Sequence, residues 1–173
     1  LSRDGSVWFS TKAGASRWHQ GRFTTLTTAH GLPLDEVSAV LEDQDGRLWI
    51  GTLAGIALVI DGEVRADPII DAALSRAPVS DLLQDAEGGV WIGTDGRGVW
   101  NYVDGKMTPY NLREGMADTR VWSITQTGDG AIWFGTDNGI SQFAGGRFHT
   151  WFTATEGFIS SQFFAVYAAA DGT

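Results

Sequence analysis

Apolar and polar residues alternate along this chain in short runs, and nearly every run stops at a glycine, an aspartate or an asparagine. A period of two marks a strand with one face buried. Asp-Gly and Gly-Gly steps are the turns that join antiparallel neighbours. Between residues 36 and 66 the runs fall at about 36–43, 47–52, 55–60 and 63–66, four short strands in succession. The pattern then returns. "DGSVWFST" begins at Asp4, "DGRLWIGT" at Asp45, "EGGVWIGT" at Glu87 and "DGAIWFGT" at Asp129. The tryptophans inside them, Trp8, Trp49, Trp91 and Trp133, are spaced by 41, 42 and 42 residues.

The rest of the period repeats as well. A glycine follows each tryptophan by six or seven residues (Gly14, Gly55, Gly98, Gly139), and a second turn carries Gly21, Gly62, Gly105 and Gly146. Val37, Val79, Val121 and Phe163 each stand eight residues before an Asp/Glu-Gly pair and open a strand-like run. Four strands in a repeat of this length describe one β-propeller blade. The expected fold is therefore all-β, built of blades of four antiparallel strands. The repeats cover approximately 1–35, 36–77, 78–119 and 120–161, with 162–173 beginning a further blade. Trp8, Trp49, Trp91 and Trp133 are expected as buried anchors on the second strands, with Gly46, Gly88 and Gly130 completing the turns before them. Trp18, Val59, Tyr102 and Phe143 share one phase and are expected in the core, whereas Trp100 is expected outside it. The phase opens just before a second strand and closes after a first strand at 162–169. That phase fits an open arc of a larger ring of about seven blades, or a closed four-bladed ring; the arc is favoured, because blades of this size carry no adaptation to a tight ring.

Composition narrows the function. The chain has 173 residues with 23 glycines, 8 tryptophans and 9 phenylalanines, the mixture of many short strands and tight turns. Its net charge of −9 repels phosphate backbones and argues against nucleic-acid partners. Without cysteine, disulfides, thiolate catalysis and thiolate metal sites are excluded. No apolar run is long enough to span a bilayer, so contact with a membrane is expected only through flanking segments. A start at Leu1 in place of Met leads us to expect a processed or excised piece.

The stretch "EDQDGRLWIGT", residues 42–52, has part of a calcium loop's spacing in Asp43, Asp45 and Gly46. Calcium needs six to eight oxygen ligands. Across the copies the Asp/Glu-Gly pair persists, but Asp43 is matched by Asp85, Thr127 and Ser2. A turn needs only the pair that persists, so the stretch is expected to be a hairpin turn. His19, His30 and His149 fall at different phases, and no metal or cofactor is expected.

Residues that break the repeat are the candidates for binding. Trp122 stands where the other copies have Ser38, Ser80 and Phe164, and Arg120 where they have Glu36, Pro78 and Gln162. An arginine beside an exposed tryptophan offers a platform for sugars or carboxylates. The loops expected on the channel face add Asp95, Arg97, Asp137, Asn138 and His30, together with Glu36 at the start of an inner strand. The alternative for Trp122 is packing against a neighbouring blade, and for the loop residues a role in their own turns. No nucleophile-elbow motif is present, and no catalytic residue is assigned.

At "EDQDGRLWIGTLAGIALVIDGEV" and "DAEGGVWIGTDGRGVWNYVDGKM" the chain resembles the two-component regulator propeller repeat, with "HGLPLDEV" and "EGMADTRV" as the linkers before inner strands. The first copy departs from the family's pattern at "WFST" and "KAGASRWHQG", and the third carries an extra residue in "TDGRGVW". The resemblance implies a periplasmic or extracytoplasmic sensor region of a membrane histidine kinase or a similar receptor. Such a region binds a small molecule or oligosaccharide on its channel face and signals to an output domain elsewhere in the protein. It implies that this segment is not itself an enzyme. The expected partners are the ligand, other blades or a second copy of the chain. Two alternatives stay open. One is a propeller lyase resembling the streptogramin lyases, which "DGAIWFGTDNGISQF" is similar to. The other is a protein-interaction scaffold that uses Trp100 and the blade rims.

Overall fold

The structure, a computed structural model, describes residues 2–151 and 160–169. Its described strands fall into four antiparallel sheets. The first holds β1 (Val7–Thr11), β2 (Gly14–His19) and β3 (Arg22–Leu26); the second holds β4 (Val37–Glu42), β5 (Leu48–Thr52), β6 (Gly55–Ile60) and β7 (Glu63–Arg65). The third holds β8 (Val79–Gln84), β9 (Val90–Thr94), β10 (Val99–Val103) and β11 (Lys106–Tyr110); the fourth holds β12 (Val121–Gln126), β13 (Ile132–Thr136), β14 (Gly139–Ala144) and β15 (Arg147–Trp151). In every sheet, strands adjacent in sequence are hydrogen-bonded neighbours. These are the propeller blades that the repeat predicts. The chain divides into two compact units, residues 1–82 and 83–173, with the division inside β8.

Burial follows the repeat. β5 and β9 are buried at every position, as strands covered on both faces must be, and this explains their continuous apolar runs. In the first unit Ala15, Leu32, Val37, Leu48, Ile50, Ala57 and Val59 form one core, with Trp8, Leu26, Val40 and Val64 packed on it. In the second unit Trp91, Val99, Met116, Val121, Ile124, Ile132 and Phe134 form another, with Leu83, Tyr110, Phe143 and Phe148. The Trp91 ring lies 5.1 Å from Phe143 and 5.6 Å from Phe134, in tilted contacts of the kind aromatic quadrupoles favour.

Each element of the "WIGT" motif has a mechanical reason. The threonines donate to the glycine carbonyl that closes the next loop, Thr52 to Gly55 at 2.9 Å, Thr94 to Gly98 at 2.7 Å and Thr136 to Gly139 at 2.6 Å. The glycine permits a close approach. A Cβ on Gly51 would lie 2.5 Å from Val79 Cγ1, and one on Gly135 would lie 2.6 Å from the Phe163 carbonyl oxygen. The turn glycines Gly46, Gly88 and Gly130 have φ of 80°, 94° and 87°, the left-handed region open to glycine.

The linkers between blades differ. Residues 28–30 and 112–114 form single 3-10 turns closed by capping boxes, and Gly31 and Gly115 follow in the left-handed conformation. The linker expected as a loop at 66–77 contains a helix instead, α1 (Pro68–Leu74). Asp67 caps it by accepting from the Ile69 and Ile70 N–H groups, Pro68 occupies the first turn, and Ile70 and Leu74, one turn apart, are buried.

Several expectations need correction. Residues 162–169 do not form a strand, although Phe163 N–H donates to the Thr136 carbonyl at 3.0 Å and Val166 N–H to Ser123 Oγ at 3.1 Å. A first strand is held by the second strand of its own repeat, and the counterpart of Trp133 would come after residue 173. Trp18 is 38% exposed, beside Phe9 and Phe23 at 44% and 68%. The matching face of the second sheet is covered by the first within the same unit, whereas no described sheet of that unit covers Trp18. Trp49 and Trp91 are buried, but Trp8 and Trp133 are only half-buried. Trp100 is half-buried at a place where Ala57 and Ser141 are buried, so its phase does face the interior. The loop expected at 153–161 lies almost wholly outside the described residues.

Candidate functional site

The opening carboxylates of the repeat hold turns. Asp43 is 2% exposed, and its Oδ1 accepts from the N–H groups of Asp45 and Arg47, both at 2.9 Å. Its Oδ2 accepts from Arg47 Nε at 2.6 Å and from the Trp49 indole at 2.8 Å. Burial pushes this carboxyl up, but the bonds from Trp49 and Arg47 outweigh it and hold the group below the ordinary carboxylate range. Asp85 repeats the arrangement, accepting from Glu87 N, Gly89 N and, at 2.7 Å, the Trp91 indole. Thr127 Oγ1 accepts the Trp133 indole at 3.2 Å. The varied residue, rather than the conserved Asp45, thus ties the turn to its tryptophan. Among the described residues no group of three or more histidine, aspartate or glutamate side chains is arranged around a metal position.

The residues that break the repeat converge in the second unit. Asp95 lies in the β9–β10 loop, Asp137 in the β13–β14 loop, and Arg120 and Trp122 at the entry to β12. Arg120 pairs with Asp95 through an isolated β-bridge, and Asp137 N–H donates to the Arg120 carbonyl at 3.2 Å. The Arg120 guanidinium spans both loops, donating from Nε to Asp95 Oδ1 at 2.6 Å and from Nη1 to Asp137 Oδ2 at 2.8 Å. The Trp122 indole donates to Asp137 Oδ1 at 2.8 Å, and Gln162 Nε2 reaches the same oxygen at 3.4 Å. The Trp122 ring lies 5.7 Å from Phe164, which is 65% exposed.

Two local devices aim these groups. The β12–β13 register shifts between Val121 and Ser123, so Trp122 sits at a bulge, the feature that redirects a side chain. Across this bulge the simple two-residue alternation that would put Arg120 and Trp122 on one strand face does not apply. The Asp95 loop is fixed to the linker by N–H bonds from Gly96 and Gly98 to the Thr119 carbonyl, at 3.1 and 2.7 Å. Asp118 accepts from the Arg120 N–H at 2.9 Å.

Electrostatics follow from this geometry. The Trp122 hydrogen bond, then Arg120, holds the Asp137 carboxyl below its ordinary range, and Asp137 and Asp95 push the Arg120 guanidinium still higher. Two carboxylates and one guanidinium leave a net charge of −1. Arg120 retains donors on Nη1 and Nη2 beyond the two bonds described. The cluster therefore offers donors, acceptors and aromatic surface together, while its charge disfavours an anion.

The other candidates are placed differently. Arg97 and Asn138 are exposed on the same two loops, with their backbone N–H groups bonded to Thr94 Oγ1 and Thr136 Oγ1. Glu36 and His30 belong to the first unit. His30 Nδ1 accepts from the Thr27 N–H at 3.1 Å, the part that Glu114 plays toward Asn111 in the other capping box. Gln162 and Phe164, absent from the candidates, join the cluster. The signal for them was present, since they stand at the phases of Arg120 and Trp122.

Comparison with known proteins comes to the same repeats. The family described as "Two component regulator propeller" matches residues 31–54, 73–96 and 115–138. No curated protein matches the sequence. Among solved structures, the fold resembles one described as the extracellular domain of the hybrid two component system BT3049 from B. thetaiotaomicron. That likeness has 20% identity and a TM-score of 0.87, and covers 99% of this chain and 25% of that one. The corresponding domain of BT4673 from B. thetaiotaomicron matches with 20% identity and a TM-score of 0.82, over 99% of this chain and 24% of that one. Virginiamycin B lyase from Staphylococcus aureus is more distant, at 19% identity and a TM-score of 0.68, over 90% of this chain and 55% of that one. The chain thus spans about a quarter of the length of the first two, in keeping with blades drawn from a larger propeller. No helix among the described residues is long and apolar enough to cross a membrane.

Proposed function

We propose that this chain, which carries two-component regulator propeller repeats, is part of the extracytoplasmic ligand-sensing propeller of a two-component receptor, and that the Arg120 cluster is where its ligand binds. One observation carries the reading. Asp95, Arg120, Trp122 and Asp137 come from three separate segments and meet in one hydrogen-bonded group. Sites that recognise small molecules place a few fixed polar groups beside aromatic surface on loops of a rigid scaffold. The carboxylates accept from hydroxyl groups, the guanidinium donates to them, and the Trp122 and Phe164 rings offer faces to C–H surface. This favours a neutral, hydroxyl-rich small molecule or oligosaccharide over an anion. Occupancy would be signalled to an output domain carried elsewhere in the receptor.

Titration of the chain with neutral trisaccharides, maltotriose and cellotriose, followed by calorimetry and tryptophan fluorescence, tests this reading. Saturable binding to one of them that Arg120→Ala weakens about tenfold, as expected for the loss of a charge-assisted hydrogen bond, supports it. Binding that Arg120→Ala and Trp122→Ala both leave unchanged removes the cluster from ligand recognition.

A further inference from the structure

The first repeat departs from the others at Arg17 and His19, and neither residue belongs to the cluster above. On β2 and β3 the pairs Arg17↔Thr24 and His19↔Arg22 stand directly opposite one another. Residues two apart on a strand share a face, so these four side chains project from one side of the sheet. With Gln20 they line an open hollow of about 520 Å³, within the size range of small-molecule sites. The same four places hold Leu58, Ile60, Glu63 and Arg65 in the second repeat, and Asn101, Val103, Lys106 and Thr108 in the third. In the fourth they hold Gln142, Ala144, Arg147 and His149. Only the first repeat brings two arginines and a histidine together there.

Two of the three basic groups are held from behind. Ser6 is fully buried, and its Oγ accepts from Arg17 Nε at 2.7 Å and lies 3.1 Å from His19 Nδ1. Arg17 Nη2 is paired with Asp4. Hydrogen bonding from Ser6 and the charge of Arg17 draw the Asp4 carboxyl down to about 2, so Arg17 is neutralised at ordinary pH. Arg22 is exposed and has no carboxylate partner among the described residues. The hollow therefore keeps one uncompensated positive charge in a chain of net charge −9. The donors left beyond those bonds are the Arg22 fork, Arg17 Nη1 and, in the tautomer whose Nδ1 accepts from Ser6 Oγ, His19 Nε2.

We propose that this hollow binds a phosphate-type oxyanion, with Arg22 as the principal contact and Arg17 and His19 as positioned donors. A tetrahedral oxyanion supplies several acceptors to converging N–H groups, and guanidinium forks match that geometry. The hollow shares no residue with the Arg120 cluster, whose net negative charge favours a neutral ligand.

Calorimetric titration at constant ionic strength with inorganic phosphate, and separately with glycerol 3-phosphate, tests the proposal. The expected result is saturable binding of one equivalent. Arg22→Gln is expected to weaken it about tenfold, in line with the loss of a charge-assisted bond, and His19→Gln less. Lys106→Gln, which removes one positive charge from a residue outside the lining, should leave binding within about twofold, because it supplies no donor to the hollow and a solvated charge is screened at constant ionic strength. Tighter binding of the ester identifies an organic monophosphate as the ligand class, and equal binding identifies the free anion. The proposal is overturned if the wild type shows no saturable binding of either, or if Lys106→Gln and Arg22→Gln weaken it equally. Thermal midpoints of the variants, expected to match the wild type since Arg22 is exposed, separate loss of binding from loss of fold.

Discussion

The Trp49 indole N–H is bonded to the Asp43 carboxylate six residues earlier, at 2.8 Å, and through that bond the turn and the core of the blade become one unit. Replacing Asp43 with alanine removes the acceptor for two backbone N–H groups, a guanidinium and a buried indole. Unpaired buried donors cost about 1–3 kcal/mol each before relaxation, so Asp43→Ala is expected to destabilise the chain by about 2–4 kcal/mol. Asp45→Ala, at an exposed side chain, should change stability by less than about 0.5 kcal/mol. Urea denaturation of the two variants checks the contrast, and equal effects would remove Asp43 from this role. Because the folded Asp43 carboxyl lies below its unfolded value, its contribution is complete above about pH 4. The contribution is lost as pH falls through the folded value.

Trp91 stands at the centre of the second core, in contact with Tyr110, Phe134 and Phe143. Trp91→Ala is expected to cost about 3–5 kcal/mol, as for other large core truncations. The half-buried Trp133, changed to alanine, should cost clearly less. Chemical denaturation that ranks the two variants the other way would contradict the assigned packing.

Gly51 has no room for a side chain, since a Cβ there would meet Val79 Cγ1 at 2.5 Å. Gly51→Ala is therefore expected to destabilise by about 1–3 kcal/mol through overpacking. Val79→Ala in the same chain should recover part of that loss. A double-mutant cycle reads the coupling directly, and strictly additive effects would show that the contact does not limit the fit.

Asp137 links pH to the environment of Trp122. Its carboxyl is held below the ordinary range first by the Trp122 bond and then by Arg120. The network is therefore intact above the unfolded carboxylate value of about 4 and comes apart as pH falls through the folded value. The fluorescence difference between wild type and Trp122→Phe isolates this indole, and it is expected to change over that acid range. In an Asp137→Asn background the same difference should stay flat there.

The sequence made the blades legible because the strand period, the turn glycines and the tryptophan spacing all agree, and strand starts at Val37, Val79 and Val121 were found to the residue. Phe163 has the same pattern without a strand, since a ladder needs a partner that pattern alone does not supply. Trp18 was misplaced for a related reason: phase identifies which face a residue is on but not whether a neighbour covers that face. Helix α1 had a readable signal in Asp67-Pro68 followed by Ile70 and Leu74, which the expectation of a uniform repeat overrode. Arg120 and Trp122 were visible as departures from the repeat. Their partnership with Asp95 and Asp137 was not, because it depends on a bulge and on loops from two sheets.

Helix α1 has a consequence for how such chains are compared. The interval from Trp49 to Trp91 contains a capped α-helix, whereas the interval from Trp91 to Trp133 contains a single 3-10 turn, and both are 42 residues long. A constant period therefore counts residues and is blind to their conformation. The joints between blades are interchangeable parts: one can be remade as a helix with its own surface chemistry while every strand keeps its register. Diversification among chains of this kind has the most freedom at those joints, where a match by spacing alone reports no change.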